Sequence, residues 1–339
     1  MSAASRVRGR GQRELGIDDG IDILRFNREF QTMLKVLPLT VRVVLLFMSL
    51  VGQLSAAEPA GKRYVIIHAD DAGMSHSVNM ATIQGMEQGI VSSASIMVPC
   101  PWFKEIAAYA KAHPEKDFGV HLTLNCEWHE YRWGPVAPRE SVPTLVDAEG
   151  YLWGGVPEIV AHAKKEEVET ELRAQVKRAI EFGVPLTHLD THMGAVVSRP
   201  DLVEVYVKLG IEFNVPVFFV RTFSDPALGL PAPIRERAVE LVKILDEHHL
   251  PVLDYYTQYY SGESYDAKKK MYLKAIEETK PGVRYLIIHC GYNNEELQAI
   301  TTSSVIRDND RRVFTDPSFI DAVKKSGVEV VSWKHVRGK

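Results

Sequence analysis

Residues 63–75 read Arg-Tyr-Val-Ile-Ile-His-Ala-Asp-Asp-Ala-Gly-Met-Ser. Tyr64 to Ile67 is an aromatic and β-branched run with no polar alternation, which predicts a strand buried on both faces. Asp70 and Asp71 close the run. Gly73 permits a tight turn, and Ser75 is placed to cap a helix beginning near Ser77. Paired carboxylates at the end of a buried strand are costly unless something positive meets them. A metal ion or a catalytic acid–base pair answers that cost. Loop or cap carboxylates facing water are the plainer alternative.

Outward from this stretch, strand-like and helix-like runs alternate. Strands are expected over 64–69, 93–98, 118–124, 186–190, 215–220, 251–254, 284–289 and 328–332. Helices are expected over 77–88, 102–112, 165–182, 199–213, 233–248, 265–279 and 317–325. Gly89, Gly183 and Gly327 stand where helices should stop. Repeated strand–helix units predict an α/β fold with a parallel sheet. Seven or eight units fit a TIM-like (β/α) barrel, distorted or seven-stranded, better than a doubly wound sheet.

Composition narrows the function classes. The chain has 339 residues, 45% hydrophobic and 25% charged, which is ordinary for a globular protein. A net charge of −4 without a Lys/Arg-rich block in the body argues against nucleic acid as a partner. Cys100, Cys126 and Cys290 are widely spaced and form no CxxC, which argues against a disulfide framework or a structural zinc site.

The front end is atypical. Residues 43–54 are an apolar run too short to span a bilayer comfortably, with Lys35 and Arg42 before it and Ser55-Ala56-Ala57 after it. This predicts a secretory signal cleaved near Ala57, with translation starting at Met33, and export to the periplasm or the exterior. Residues 1–57 would then be extension and signal, and 58–339 the functional domain, with no stable membrane span after cleavage. A buried core helix or an uncleaved anchor is the alternative.

Residues 125–160 break the alternation, with prolines at 135, 138, 143 and 157 and little periodicity. Loops of this length inside a domain are usually functional or disordered, and Trp128, Tyr131, Trp133, Tyr151 and Trp153 argue against disorder. Their rings suit the apolar faces of sugars, or simply pin the loop to the body.

In a barrel the C-terminal strand ends meet at one face. At those ends stand Asp70-Asp71, His121, the run Thr187-His188-Leu189-Asp190-Thr191-His192, and His289. One Asp oxygen and two His nitrogens make a three-ligand set that leaves positions open for water and substrate. The remaining histidines, His68 and His76 among them, read as structural or surface residues.

The motifs together resemble the YdjC/ChbG-like carbohydrate deacetylase family, over about residues 62–336. VIIHADDAGMSHSVN resembles its opening strand, and GIVSSASIMVPCPWF and FGVHLTL its second and third blocks. SVPTLVDAEGYL, THLDTHMG and LIIHCGY resemble its later ones. The resemblance implies one divalent metal held by Asp71, His121 and His192, with Asp70 as general base and His289 as general acid. Zinc and magnesium are the leading candidates for the ion. The implied reaction is hydrolysis of an N-acetyl group on an amino sugar of the chito-oligosaccharide type. Departures are His68 in place of the common Asn, Gly194 in place of a second His, and Cys290 in place of Pro. Two competing readings are an exported glycan-binding protein on an inactive barrel, and a deacylase of another acylated small molecule or lipid-linked sugar. A homodimer is left open.

If the signal reading holds, N-terminal sequencing of the mature protein begins at Glu58. A cytoplasmic species beginning at Met1 would refute it.

Overall fold

The structure, a computed structural model, describes residues 61–224, 232–261 and 264–337. The expected signal segment lies outside the described residues. The strands are β1 Arg63–Ala72, β2 Ser93–Ile96, β3 Phe118–Leu122, β4 Leu186–Thr191, β5 Tyr255–Gln258, β6 Gly282–Ile288 and β7 Glu329–Val330. Every pairing is parallel, in the order β4-β3-β2-β1-β6-β5, with β7 also against β1. β6 follows β5 in sequence and returns to the side of β1, as in a barrel. The ladder is not closed. Between β4 and β5, residues 215–220 make only single parallel bridges, Leu189 to Val217 and Val220 to Leu253. The fold is thus a distorted, seven-stranded (β/α) barrel.

Two expected strands are altered for identifiable reasons. At 215–220, Pro216 accepts from the Leu189 amide but has no N–H to extend the ladder. The strand expected at 251–254 runs instead over β5. There the Asp254 side chain takes the Val283 amide at 2.7 Å, and regular pairing with β6 starts only at Tyr255.

The helices are α1 His76–Gln88, α2 Phe103–Ala112, α3 Val156–His162, α4 Lys165–Glu181, α5 Pro200–Glu212, α6 Ala232–Glu247, α7 Tyr265–Glu277, α8 Glu295–Ile300, α9 Ser304–Thr315, α10 Pro317–Lys325 and α11 Trp333–Arg337. Ser75 caps α1 as expected, its hydroxyl accepting from the Val78 amide at 3.2 Å. No helix among the described residues is long and apolar enough to cross a membrane. The expected list lacked α3, α8, α9 and α11; the buried face of α9 mixes Arg307, Asn309 and Asp310 with Val313 and Phe314.

Strand alternation sorts the side chains into two cores. Val65, Ile67, Ala69, Val120, Leu189, Leu286 and Ile288 face the helices. Tyr64, Ile66, Phe218, Val220, Leu253, Tyr285 and Ile287 fill the barrel with Val331 and Trp333. The inner faces of β2, β3 and β4 are polar by contrast, with Ser93, Ser95, His121, His188 and Asp190 all buried.

The 125–160 insert is fastened from beneath. Both Glu171 carboxylate oxygens accept backbone amides, from Val136 at 2.9 Å and Ala137 at 2.8 Å. The Trp133 indole donates to the Asn125 carbonyl, and the Trp153 indole donates to the Thr144 carbonyl. These two rings therefore hold the loop together. Trp128 is the tryptophan of the insert that lines the central cavity.

Gly119 sits where the lumen leaves no room for a side chain. A Cβ there would lie 2.5 Å from His188 Nε2, and His188 is itself stacked on Trp333 with ring centroids 5.1 Å apart. Gly119→Ala should cost about 1–3 kcal/mol of stability by overpacking. Chemical denaturation checks this, and wild-type stability would show that the ring moves freely.

Candidate active site

The site begins with one extra residue in β1. Ala69 pairs with Ala94 but Ala72 pairs with Ile96, so three steps of β1 oppose two of β2. This is a β-bulge. Within it Asp71 has φ +68°, a left-handed conformation that Asp tolerates better than most residues. In a regular strand Asp70 and Asp71 would face opposite sides; here both carboxylates reach the barrel mouth and line one cavity. Gly73, φ +96°, completes the turn where a Cβ would meet the Met97 carbonyl at 3.0 Å.

Asp71, His121 and His192 converge. Asp71 Oδ1 lies 3.3 Å from His121 Nε2 and 3.2 Å from His192 Nδ1. That oxygen is buried and has no hydrogen-bond partner. Three ligand atoms facing one another, one of them a buried oxygen without a hydrogen-bond partner, suit a cation.

Each imidazole is oriented from behind. His121 Nδ1 is hydrogen-bonded to Asp190 Oδ1 at 2.7 Å, and His192 Nε2 to Glu127 Oε2 at 3.1 Å. A carboxylate behind each ring fixes which nitrogen is presented to an ion, an arrangement typical of metal-binding histidines. Asp190 Oδ2 lies 2.9 Å from His68 Nε2, so both Asp190 oxygens are engaged. Other groupings of His and Asp in the lumen are poorer candidates. One needs Asp190, already shared by two rings, and another needs His188, whose Nε2 is pressed against Gly119.

Charge balance holds the cluster. Burial pushes the Asp71 carboxyl up, but Arg307, His121 and His192 together hold it well below the usual range. Arg307 Nη2 donates to Asp71 Oδ2 at 2.7 Å, while its buried Nη1 has no partner. For His68, burial acts downward, yet bonds to Asp190 and Asp70 lift it to about 9. His192 is likewise lifted to about 9 against burial, by Glu127 and Asp71.

The structure brings all five expected residues to this mouth. The β1–β6 register pairs Ala69 with Ile288 and so sets His289 level with Asp70; His289 Nε2 lies 3.8 Å from Asp70 Oδ2. Burial lowers the pKa of His289, overriding the pull of Asp71 and Asp70. His289 is held from outside the barrel as well. Asp310 accepts its backbone amide at 3.0 Å, and Asp310 is paired with the buried Lys268 and with Tyr272.

Four contributors were not singled out from sequence: Asp190, Glu127, Arg307 and Asp310. Asp190 was legible in principle, since it stands two residues before His192 on the same strand face. Glu127 sits in an aperiodic loop. Arg307 and Asp310 share one face of α9 at i, i+3, a pattern that reads as solvated when its partners are unknown. His68, expected to be a structural or surface residue, is structural: it is fully buried and bonded to Asp190. The Gly194 departure has a local setting, since Met193 and Gly194 both take left-handed backbone just after His192.

The chain is thus a parallel (β/α) barrel with titratable residues gathered at its strand ends, and sequence comparison identifies the family. The YdjC-like protein family matches over residues 64–325, and this chain belongs to that family. A carbohydrate deacetylase of Thermus thermophilus is 33% identical over 71% of this chain and 82% of the relative. The carbohydrate deacetylase of Thermoanaerobacter pseudethanolicus is 26% identical over 80% of this chain and 98% of the relative. A crystal structure from Enterococcus faecalis, described as a candidate cellobiose-phosphate cleavage protein, superposes with a TM-score of 0.67. It is 21% identical and the match covers 81% of this chain and 98% of that one, which establishes likeness of fold.

Asp190→Asn should weaken divalent-metal binding about 10- to 100-fold, the usual effect of removing an orienting partner. Titration with the metal alone checks this, and unchanged affinity would rule out the orienting role. The metal-free protein should also respond to pH. His68 and His192 have folded-state values of about 9, above the ordinary 6.5. Their stabilisation is therefore complete below pH about 6.5 and lost as pH rises through about 9. Melting temperature against pH should show this fall, and His68→Asn should flatten it.

Proposed function

We propose that this protein is a metal-dependent hydrolase that removes the N-acetyl group from an amino sugar or chito-oligosaccharide-like chain, releasing acetate. The observation that carries the reading is the unpartnered Asp71 Oδ1 facing His121 and His192, with Asp70 and His289 beside it in one cavity of about 430 Å³. Membership of a family whose curated relatives are carbohydrate deacetylases supports the substrate class. Asp71, His121 and His192 would hold one divalent ion, with zinc suited to the mixed oxygen–nitrogen set and magnesium an alternative when waters complete the shell. A bound ion supplies Lewis acidity, polarising the amide carbonyl and making water a better nucleophile at neutral pH.

The chain's own residues then move the proton. Asp70 is the general base and accepts a proton from the attacking water. His68 Nε2 lies 3.2 Å from Asp70 Oδ1, and Asp70 Oδ2 lies 3.8 Å from His289 Nε2. His289, lowered by burial, is neutral at pH 7 and so can receive the proton from Asp70 and deliver it to the departing nitrogen. One C–O bond forms and the C–N bond breaks. The products are acetate and the free amine, and no covalent intermediate with the protein is required. The unpartnered Arg307 Nη1 offers a charged donor to a substrate oxygen. Trp128 lines the same cavity and presents a face to a sugar ring. Export after cleavage near Ala57 would give the enzyme access to glycans outside the cytoplasm.

Asp70→Asn is nearly isosteric and should retain metal and fold while lowering kcat by about 10²-fold or more. His289→Ala should behave similarly, with a smaller effect on substrates carrying a better leaving amine. Acetate release from acetylated chito-oligosaccharides measures both. Wild-type turnover in both variants would sink the acid–base assignment. Binding without acetate release by the wild type would favour a glycan-binding protein.

A further inference from the structure

The cavity is not uniform around the barrel. The side next to β6 and α9 carries Asp70, His289, Thr301, Ser303 and Arg307. The other side runs past Met193 into the interruption between β4 and β5. It is walled there by Val197, Val203, Phe218, Phe223, Ile234 and Ala238. With only the Leu189–Val217 and Val220–Leu253 bridges crossing that interruption, the cavity reaches α5 and α6. The wall is braced by aromatic packing. Phe218 stacks on Tyr285 at 4.4 Å, and Tyr256 stands edge-on to both Phe218 and Phe223.

Chemistry sets the direction of a substrate in this space. The departing nitrogen must face His289, which lies on the β6 side next to Asp70. The substituent on the amide carbon then points away from His289, toward β4 and the apolar chamber. A sugar ring seated in the chamber would bury hydroxyls with few partners, and each unpaired buried hydroxyl is costly. An alkyl chain has no such groups, and every methylene it buries is favourable.

We propose that this chamber is an acyl-chain pocket, and that the preferred substrates are amino sugars carrying a medium-length N-acyl chain. The inference rests on the hydrolytic reading above and extends its acyl group from acetyl to longer chains. On this account the sugar occupies the polar side, the scissile carbonyl sits against Asp71, His121 and His192, and the chain extends along Phe218 toward Ala238. Hydrolysis follows the same course, releasing the corresponding fatty acid and the free amine.

The test uses N-acetyl-, N-butyryl- and N-hexanoyl-glucosamine oligosaccharides with the metal-loaded protein. kcat/KM should rise about fourfold for each added methylene that the chamber buries. Ala238→Phe, which fills the chamber, should lower the hexanoyl-to-acetyl ratio of kcat/KM at least tenfold. Because a ratio within one protein is read, partial loss of folded material does not mimic the effect. Calorimetric binding of hexanoate against acetate provides a readout independent of turnover, and hexanoate should bind more tightly in the wild type but not in Ala238→Phe. Activity that falls with each added methylene, together with no preference for hexanoate, would overturn the acyl-chain pocket while leaving deacetylation intact. Chain-length-dependent binding without cleavage of any amide would uphold the pocket and overturn the proposed reaction.

Discussion

Everything at the barrel mouth depends on a single irregularity in β1. Strand geometry sends neighbouring side chains to opposite faces. A regular β1 would give the mouth Asp70 and lose Asp71 to the helix layer. The bulge between Ala69 and Ala72, with Asp71 at φ +68°, cancels that alternation for one residue. It thereby puts two carboxylates within reach of His121, His192 and His289. The conformational cost is small for Asp, and the positive partners Arg307 and the imidazoles offset the burial of charge.

The lumen below this mouth is divided. One wall, from β2 to β4, carries serines, histidines and Asp190 in a hydrogen-bonded chain. It runs from Asp117 through Ser93 and His68 to Asp190 and His121. The other wall, from residues 217–220 through β6, is Phe218, Val220, Leu253, Tyr285 and Ile287. The polar wall locks the imidazoles in orientation, since His68, His121 and His188 each have a fixed partner on at least one ring nitrogen. The apolar wall supplies the ordinary hydrophobic driving force for closing the barrel. Tyr285 joins the two halves, stacking on Phe218 and His68 while its hydroxyl lies 3.4 Å from Asp190.

The fold was largely legible in the sequence because it rests on periodicity. The apolar runs of β1 and β6, and helices such as α4 and α5 between strands, announce a parallel sheet. What periodicity could not show was where the ladder fails. That depends on Pro216 and Asp254, each of which alters one backbone hydrogen bond. The same limit applies to the site. Asp70, Asp71, His121, His192 and His289 stand at strand ends and can be found by counting along strands. Arg307 and Asp310 come from α9, whose buried face is charged and so looks solvent-exposed from sequence alone. Glu127 comes from a loop with no period at all. For Trp133 and Trp153 a sugar platform and a loop anchor were both open in the sequence, because aromatic composition does not distinguish a ring facing a cavity from one facing its own loop; the structure makes them anchors.

The fastening of the 125–160 insert bears on how a ligand arrives. Glu171 and Gln175 of α4 hold the loop and the β3 exit by hydrogen bonds to Val136, Ala137 and Thr123, and Arg132 ties it to Asp147. The loop is therefore ordered as part of folding, with Trp128 already at the cavity wall. Ligand encounter does not have to carry the entropy of arranging this segment, and a rigid rim tolerates little variation in the shape of what it admits. Selection at this rim is a matter of fit on entry, in contrast to enzymes whose loops close over whatever has bound.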